Sequence, residues 1–263
     1  MKLSFSGKVA IVTGGASGMG AAAVRLIAEG AGRVIIADLD EGRGQALARD
    51  LGAEARFVRT DVANPADTQR LAENAVSAFG RIDVLLNNAG KPSLADITGL
   101  DPEEWHDVLN VNLSSAYLMS KAVLPHLKAV GGGAIVNTCS VSGLAGDYGM
   151  VAYNASKGGL INLTRAMAID HAKNNVRVNA VCPGVIADTT MASKLADGPG
   201  GLATWNARIP LRRTGFAVEV ARVMVFLASD WASYMTGSVT VVDGGLLAHT
   251  GMPTPDDFAA AGA

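Results

Sequence analysis

The sequence predicts a single-domain α/β fold, a doubly wound parallel sheet of about seven strands with helices on both faces. Short apolar runs alternate with longer amphipathic segments along nearly the whole 263-residue chain, as in successive right-handed βαβ units. Hydrophobic residues make up 49% of the chain and charged residues 17%, which predicts a large buried core. Because neither an internal repeat nor an interdomain linker is visible, we expect one domain over residues 1–263.

Seven short runs of aliphatic and β-branched residues are predicted as strands, since buried parallel strands form continuous apolar stretches. These runs are residues 9–12, 34–37, 56–58, 82–86, 134–137, 176–181 and 239–242. The amphipathic segments between them are predicted as helices over residues 18–30, 40–51, 65–79, 102–130, 151–174 and 217–229. Asp101 followed by Pro102 indicates a capped helix start with proline in the first turn.

Two stretches break this alternation. Residues 187–214 hold a glycine-rich turn among apolar residues and predict a flap over a substrate, because long loops in α/β enzymes often act as lids. A surface excursion without function is the alternative. Residues 249–263 are rich in Ala, Gly and Pro and predict a tail that lies on a surface or partner, or is disordered.

Charge and composition argue against several classes of protein. The formal net charge is −2 and the basic residues are scattered, so we expect no nucleic-acid partner. We expect neither a signal peptide nor a membrane span, because apolar runs of the required length are missing. Two cysteines, Cys139 and Cys182, fit free thiols in the cytoplasm, and the four histidines lack the spacing of metal ligands.

A glycine-rich turn follows the first predicted strand and opens the first helix, over residues 13–20. Glycines let a diphosphate approach the backbone, and the helix N-terminus offers it free N–H groups and partial positive charge. Asp38 closes the second strand eighteen residues after Gly20, where a carboxylate can accept both ribose hydroxyls of adenosine. The pattern predicts an NAD site, although Asp38 alone could also be a helix N-cap.

Tyr153 and Lys157 are four residues apart on a predicted helix, so both side chains project from one face. An ammonium about 4 Å from the phenol favours phenolate by about 4 kcal/mol at an effective dielectric of about 20, or about 3 pKa units. Ser140, thirteen residues upstream at the end of the fifth strand, can hydrogen-bond the reacting oxygen. The three residues predict general-base chemistry, whereas the Tyr–Lys pair alone would also fit a solvated helix face.

Together these motifs resemble the short-chain dehydrogenase/reductase family over residues 7–245. The resemblance implies a Rossmann-like fold and a catalytic tetrad of Asn112, Ser140, Tyr153 and Lys157. It also implies a set of residues around the cofactor. They are Gly14, Ser17, Gly18, Met19, Gly20, Asp38, Leu39, Asp61, Val62, Asn88, Ala89, Gly90, Tyr153, Lys157, Pro183, Gly184, Ile186 and Thr189.

The resemblance further implies a mechanism of direct hydride transfer. Tyr153 is the base, Ser140 holds the oxygen, and Lys157 lowers the pKa of Tyr153 and binds the nicotinamide ribose. Asn112 is implied to hold a water that links Lys157 to solvent. In the family a threonine that follows the segment after Pro183 binds the carboxamide. Either Thr189 or Thr190 fits this position here, and we favour Thr189. Lys91, which is often smaller or apolar in relatives, is expected to be solvated.

Other functions fit less well. A hydrolase would need Gly-x-Ser-x-Gly after a strand, and neither Ser17 nor Ser140 has both flanking glycines. A dinucleotide-binding module without catalysis would be expected to lack one of the reactive residues. An NADPH-dependent 3-ketoacyl-thioester reductase remains the nearest alternative, but it should prefer a basic residue near position 17 or 39, where this chain has Ser17 and Leu39.

The substrate is expected to be an uncharged, moderately bulky secondary alcohol or ketone, cyclic compounds included. The residues assigned to its pocket are Ser142, Leu144, Tyr148, Met191, Leu195 and Trp205, which could equally be packing residues. The resemblance also implies a homo-oligomer, namely a tetramer. The helices predicted at 102–130 and 151–174 favour such an assembly, because they carry apolar residues on more than one face: Leu109, Leu113, Tyr117, Leu160 and Met167.

Overall fold

The computed structural model of the protein describes residues 3–189 and 201–249. Within them the chain forms a seven-stranded parallel sheet in the order β3-β2-β1-β4-β5-β6-β7. The strands are β1 (Val9–Thr13), β2 (Arg33–Asp38), β3 (Ala55–Arg59), β4 (Val84–Asn87), β5 (Gly133–Thr138), β6 (Val176–Pro183) and β7 (Val239–Val242). The strand order reverses between β1 and β4, and such a reversal opens a crevice at the carboxyl ends of the strands.

Helices connect the strands and cover both faces of the sheet. They are α1 (Gly18–Glu29), α2 (Glu41–Leu51), α3 (Pro65–Phe79), α4 (Pro102–Leu109), α5 (Ser115–Ala129), α6 (Val151–His171), α7 (Gly201–Arg208) and α8 (Ala217–Ala228). The predicted fold class is confirmed, and the predicted elements agree with these bounds to within a few residues. Of the predicted flap and tail, residues 190–200 and 250–263 lie outside the described part of the chain, including Thr190, Met191 and Leu195.

The long helix predicted over residues 102–130 is interrupted. A π-helical turn over Asn110–Ser114 separates α4 from α5. Ser115 contributes to the distortion, since its hydroxyl donates to the Val111 carbonyl four residues earlier at 2.6 Å. π-turns inside helices are frequent at functional sites, and this one carries Asn112.

The core has one apolar layer on each side of the sheet. On one side α1 and α8 pack together through residues such as Val24, Ile27 and Met224. On the other side α3, α5 and α6 cover the strands through residues such as Leu71 and Met119. Burial of the strands on both faces explains why their sequences are continuously apolar.

The expectation that apolar residues of α6 face outward is wrong for two of them. Leu160 and Met167 are only 2% and 7% exposed, and both belong to the core beneath the helix. Helix α6 lies against β6, so a wider stripe of its surface is buried than the sequence suggested. Tyr117 on α5, by contrast, is 49% exposed.

A buried polar chain links the centre of the sheet to α6. The Asn87 side-chain amide donates to the Asn137 side-chain carbonyl at 2.9 Å, joining β4 to β5. The Asn137 amide in turn donates to the Thr164 hydroxyl at 2.8 Å, and that hydroxyl donates to the Leu160 carbonyl. Since these groups are buried, each depends on its partner for the hydrogen bond that water would otherwise supply.

Replacing Thr164 with Val should therefore destabilise the protein, because the Asn137 amide loses its acceptor inside the core. We expect a loss of about 1–3 kcal/mol in the free energy of unfolding, measured by urea denaturation. Thr68→Val is the matched control, since the Thr68 hydroxyl is also buried but donates only to the Pro65 carbonyl of its own helix. Equal losses in the two variants would contradict a role for the polar chain.

Candidate active site

A cavity of about 650 Å³ opens at the carboxyl ends of the strands. The turn after β1, the ends of β2 to β6 and the start of α6 all contribute to its walls. Trp205 of α7 and Leu246 beyond β7 also line it. The cavity thus occupies the crevice at the reversal of strand order, where α/β proteins bind ligands.

The glycine-rich turn forms one end of this cavity. Gly14 and Gly18 have φ angles of +61° and +50°, a left-handed conformation that favours glycine. Ser17, Gly18 and Met19 line the cavity with Gly14. Gly20 lies behind them, and a Cβ there would come within 2.1 Å of the Gly14 carbonyl oxygen. Glycine at position 20 therefore lets α1 pack directly against the turn.

The N-terminus of α1 is suited to an anionic group. The Ser17 side chain makes no capping hydrogen bond, and the first turn of α1 contains no acidic residue. The free N–H groups and the helix dipole at this end favour phosphates. The turn, the helix end and the open cavity in front of them fit the diphosphate of a dinucleotide.

Asn88 and Thr13 hold the turn against the loop after β4. The Asn88 side-chain amide donates to the carbonyls of Thr13 and Gly14 at 3.1 and 3.2 Å. The Thr13 hydroxyl accepts from the backbone N–H groups of Asn88 and Ala89. Asn88, Ala89 and Gly90 all line the cavity, as the resemblance implied.

Asp38 ends β2 at the rim of the cavity. One carboxylate oxygen accepts from the Ala16 N–H at 3.0 Å and the other from the Asp40 N–H at 3.1 Å. Asp40, not Asp38, caps α2, because its side chain accepts from the Arg43 N–H. The alternative interpretation of Asp38 as the helix N-cap is therefore wrong.

The neighbouring wall also carries acidic and apolar groups. Leu39, Asp61 and Val62 line the cavity beside Asp38. The Asp61 carboxylate accepts from the Ala63 N–H at 2.9 Å, which fixes the turn after β3. Among the described residues that line the cavity, the basic ones are Lys91 and Lys157, which lie toward the other end. This wall is thus negative in character.

Tyr153, Lys157 and Ser140 converge at the opposite end of the cavity. Tyr153 and Lys157 lie on the first two turns of α6 and are 6% and 3% exposed. The Lys157 Nζ lies 5.6 Å from the centre of the Tyr153 ring and donates to the Thr138 carbonyl at 2.8 Å. The Ser140 hydroxyl lies 3.1 Å from both the backbone N and the hydroxyl of Ser142. All of these residues line the cavity.

Burial dominates the protonation of the phenol. It raises the pKa of Tyr153 to about 12, while the hydrogen bond with Ser140 lowers that pKa. Burial also lowers the pKa of the Lys157 ammonium. Lys157 was expected to lower the pKa of Tyr153, but the groups of the protein together raise that pKa. The Lys157 Nζ is directed to the Thr138 carbonyl. Cys139 and Asp147 raise the pKa of the phenol further.

Asn112 is almost fully buried and lies behind the cavity. Its side-chain amide donates to the Lys91 carbonyl and the Ser156 hydroxyl at 3.0 and 3.1 Å. Its side-chain oxygen accepts from the Lys91 N–H at 2.8 Å. A Cβ on Gly90 would lie 3.2 Å from that oxygen and 3.4 Å from the Lys157 Nζ. Asn112 therefore ties the loop after β4 to α6, while its role in holding water stays a prediction.

The Lys91 side chain is 39% exposed, and it has a partner that the sequence did not indicate. Its ammonium forms an ion pair with Asp107 of α4, and both residues line the cavity. Its backbone holds Asn112 in place. The sequence offered one signal for this role: the residue directly follows the loop motif at the carboxyl end of β4, where ligand-binding residues gather.

The segment after β6 closes the cavity from a third side. Pro183, Gly184, Ile186 and Thr189 line it. A Cβ on Gly184 would lie 2.9 Å from the Asp243 Cα, so glycine permits the close approach of the two chain segments. The Thr189 hydroxyl donates to the Ile186 carbonyl at 2.9 Å. Thr189 thus lines the cavity, while its role in binding the carboxamide stays a prediction.

The residues assigned to the substrate pocket separate into three groups. Ser142 and Trp205 line the cavity. Leu144 and Tyr148 are 43% and 104% exposed and are not among the lining residues. Met191 and Leu195 lie outside the described residues. The structure adds other lining residues that sequence reasoning missed: Val111, Asp147, Met150, Val185 and Leu246.

Two of the added residues could have been found. Asp147 and Met150 lie in the short segment between Ser140 and Tyr153, whose ends are both fixed at the reacting centre. The described residues contain no cluster of three His, Cys, Asp or Glu side chains able to hold a metal ion. None of the described helices is both long and apolar enough to span a bilayer.

Comparisons with known proteins find relatives that match nearly the whole chain. A family model described as "Enoyl-(Acyl carrier protein) reductase" matches residues 14–247. Cis-4-hydroxycyclohexanecarboxylate dehydrogenase of Sinomonas cyclohexanicum is 43% identical, over 93% of this chain and 98% of that protein. Meso-2,3-butanediol dehydrogenase of Serratia marcescens is 40% identical, over 95% of this chain and 99% of that protein.

Two further similarities complete the comparison. The 3-oxoacyl-[acyl-carrier-protein] reductase FabG of Thermotoga maritima is 40% identical, over 93% of this chain and 100% of that protein. The crystal structure of gox2181 superposes with a TM-score of 0.90 at 35% sequence identity, covering 94% of this chain and 98% of that chain. These similarities extend over nearly the full length of the described fold.

Proposed function

The chain belongs to the short-chain dehydrogenase/reductase family, and we propose that it uses NAD to interconvert an uncharged, moderately bulky secondary alcohol and its ketone, cyclic substrates included. Its relatives are oxidoreductases that act on CH–OH groups. One observation carries the proposal: Ser140, Tyr153 and Lys157 meet in the cavity that the glycine-rich turn also lines. The cavity can thus hold a nicotinamide cofactor, which donates or accepts hydride, next to Tyr153, which donates or accepts a proton.

The chemistry of the chain's own residues is proton transfer and orientation. In the direction of oxidation Tyr153 removes the hydroxyl proton of the substrate, while the Ser140 hydroxyl orients the oxygen. Bound NAD supplies the hydride acceptor and, when oxidised, a positive charge near the reacting centre. Lys157 binds the nicotinamide ribose through an ammonium that the Thr138 carbonyl already orients.

The preference for NAD over NADP rests on Asp38. Its carboxylate lies at the rim of the cavity, next to the turn that fits the diphosphate. The adjacent lining residues Leu39, Asp61 and Val62 provide no positive charge for a 2′-phosphate. The ribose hydroxyls of NAD can donate hydrogen bonds to this carboxylate, whereas a phosphate would be repelled.

An NADPH-dependent 3-ketoacyl-thioester reductase is the second candidate. It is favoured by the description of the matching family model and by the 40% identity to the FabG protein. The two candidates differ in cofactor and in substrate. If the protein turns over acetoacetyl thioesters with NADPH in preference to alcohols with NAD, the second candidate, the 3-ketoacyl-thioester reductase, is correct.

We also propose that the protein is a homotetramer in the cytoplasm. Exposed apolar side chains lie on two surfaces: Tyr117 and Ile169 on α5 and α6, and Trp231 and Val241 near the edge strand β7. An edge strand with apolar residues is a favourable surface for pairing with a second copy. Both cysteines are free and buried, which fits a reducing compartment.

Replacing Tyr153 with Phe should lower turnover by several orders of magnitude and leave NAD affinity nearly unchanged, because only the proton-transferring hydroxyl is removed. Steady-state kinetics and fluorescence titration with NADH measure the two effects. Tyr234→Phe is the control, since Tyr234 is fully exposed. Substantial residual activity in the Tyr153 variant would exclude Tyr153 as the base.

The wild-type protein should prefer NAD over NADP by about 100-fold or more in kcat/KM. A 2′-phosphate carries roughly −1.5 to −2 charges, and a carboxylate about 4 Å from one such charge costs about 4 kcal/mol before solvent screening. Asp38→Ala should narrow the difference in kcat/KM between NAD and NADP, chiefly by weakening the binding of NAD. Equal use of the two cofactors by the wild type would mean that Asp38 does not face the ribose.

Light scattering at micromolar concentration should give four times the 26.9 kDa mass of the chain. Val241→Lys should yield smaller species, because it places a charge on the exposed edge strand β7. A single 26.9 kDa species from the wild type would refute the tetramer.

A further inference from the structure

Asp147 is the acidic side chain nearest in sequence to the reacting centre, and the mechanism above does not use it. It lies on the loop between β5 and α6 and lines the same cavity as Ser140 and Tyr153. Its carboxylate forms no hydrogen bond and no ion pair with any described residue. A hydrogen-bond acceptor without a partner among the described residues therefore lines the cavity beside Ser140 and Tyr153.

The loop that carries Asp147 is held at both ends. The Asp147 carbonyl accepts from the side-chain amide of Asn154, the residue after Tyr153, at 3.2 Å. At the other side the Val151 N–H donates to the Ala95 carbonyl at 3.3 Å. Asp147 is thus positioned relative to the base by contacts with the same helix turn. Its negative charge reaches the phenol, where it raises the pKa of Tyr153.

Among the described residues that line the cavity, the other charged groups at this end do not neutralise Asp147. Lys91 is already paired with Asp107, so these two residues together contribute no net charge. Lys157 is directed to the Thr138 carbonyl beneath the site. A substrate that enters beside Asp147 therefore meets a carboxylate that no described residue pairs with, and such a group accepts hydrogen bonds and repels anions.

We infer that Asp147 is a specificity-determining residue that selects alcohols with a second hydroxyl group beside the reacting carbinol, that is, diols and the corresponding hydroxyketones. This inference rests on the proposed dehydrogenase function and names its substrate class. The second hydroxyl donates to the Asp147 carboxylate while the reacting hydroxyl lies between Ser140 and Tyr153. The same carboxylate disfavours substrates that carry a carboxylate at that position.

The test compares three substrates that differ only in the group next to the carbinol: cyclohexanol, cis-1,2-cyclohexanediol and 2-hydroxycyclohexanecarboxylate. An open-chain pair, 2-butanol and 2,3-butanediol, repeats the comparison at smaller size. For the wild-type protein we expect kcat/KM for each diol to exceed that for its mono-alcohol about tenfold or more, since a hydrogen bond to a charged group contributes about that factor.

Asp147→Ala should remove this preference. At a pH above the acid limb of both proteins, we expect kcat/KM for the diols to fall about tenfold, that for the mono-alcohols to change less than about twofold, and that for the hydroxycarboxylate to rise about tenfold. Glu29→Gln is the control for loss of one negative charge, because Glu29 is exposed on α1, away from the cavity. This control should leave all ratios unchanged.

A pH profile separates a charge effect from a structural one. The titratable groups around the phenol are Cys139, Cys182, Lys157 and Asp147. Since the Asp147 charge raises the pKa of Tyr153, Asp147→Asn should shift the acid limb of kcat/KM for cyclohexanol oxidation to lower pH. A loop that is merely disturbed would lower the rate without moving that limb in this direction.

The possible outcomes separate a failure of the Asp147 specificity role from a failure of the proposed dehydrogenase function. If wild type oxidises the alcohols but Asp147→Ala changes all substrates by the same factor, the specificity role is wrong and the dehydrogenase proposal stands. An unshifted acid limb in Asp147→Asn also overturns the role. If wild type oxidises none of the five compounds with NAD or NADP, the proposed function and the inference both fail.

Discussion

The buried ammonium of Lys157 is the constraint on which the rest of the site depends. A buried cation is costly unless its protons are hydrogen-bonded, and here the Thr138 carbonyl at the end of β5 accepts one of them at 2.8 Å. This contact requires β5 to end, and α6 to begin, at fixed positions relative to each other. Tyr153, one turn earlier on α6, is placed by the same requirement, and Ser140, two residues beyond Thr138, meets it across the cavity.

The sheet and α6 keep this arrangement through contacts of two kinds. A Cβ on Gly143 would lie 2.7 Å from the Lys157 backbone, so the turn after β5 runs directly against the helix and leaves no room for adjustment. Deeper in the core, the hydrogen bond between Asn137 and Thr164 ties the middle of β5 to the same helix. A helix held by apolar contacts alone could shift along the sheet. Buried hydrogen-bond partners such as Asn137 and Thr164 meet only at one position of the helix relative to the strand.

Much of the fold and of the cofactor end could be predicted because their signals are local. Strands buried on both faces are apolar at every position, and Gly20 is required by a backbone approach within one turn. Other features depend on which distant segments meet. The pairing of Lys91 with Asp107, and the burial of Leu160, result from packing between helices that sequence spacing does not specify. The pKa of Tyr153 is of the same kind, since the burial that raises it comes from several elements that are distant in sequence.

The distribution of charge distinguishes the two ends of the cavity. Asp38 and Asp61 make the end of the cavity beside β2 and β3 negative, which disfavours a phosphate group there. The N-terminus of α1, which lacks acidic residues in its first turn, provides the place where phosphates are favoured. At the far end a buried ammonium and a buried phenol lie together, and burial disfavours the charged form of each. Proton exchange there consequently depends on the charges brought next to Tyr153, so the groups that line the cavity at that end, Asp147 among them, act on the reactivity of the base as well as on the fit of the substrate.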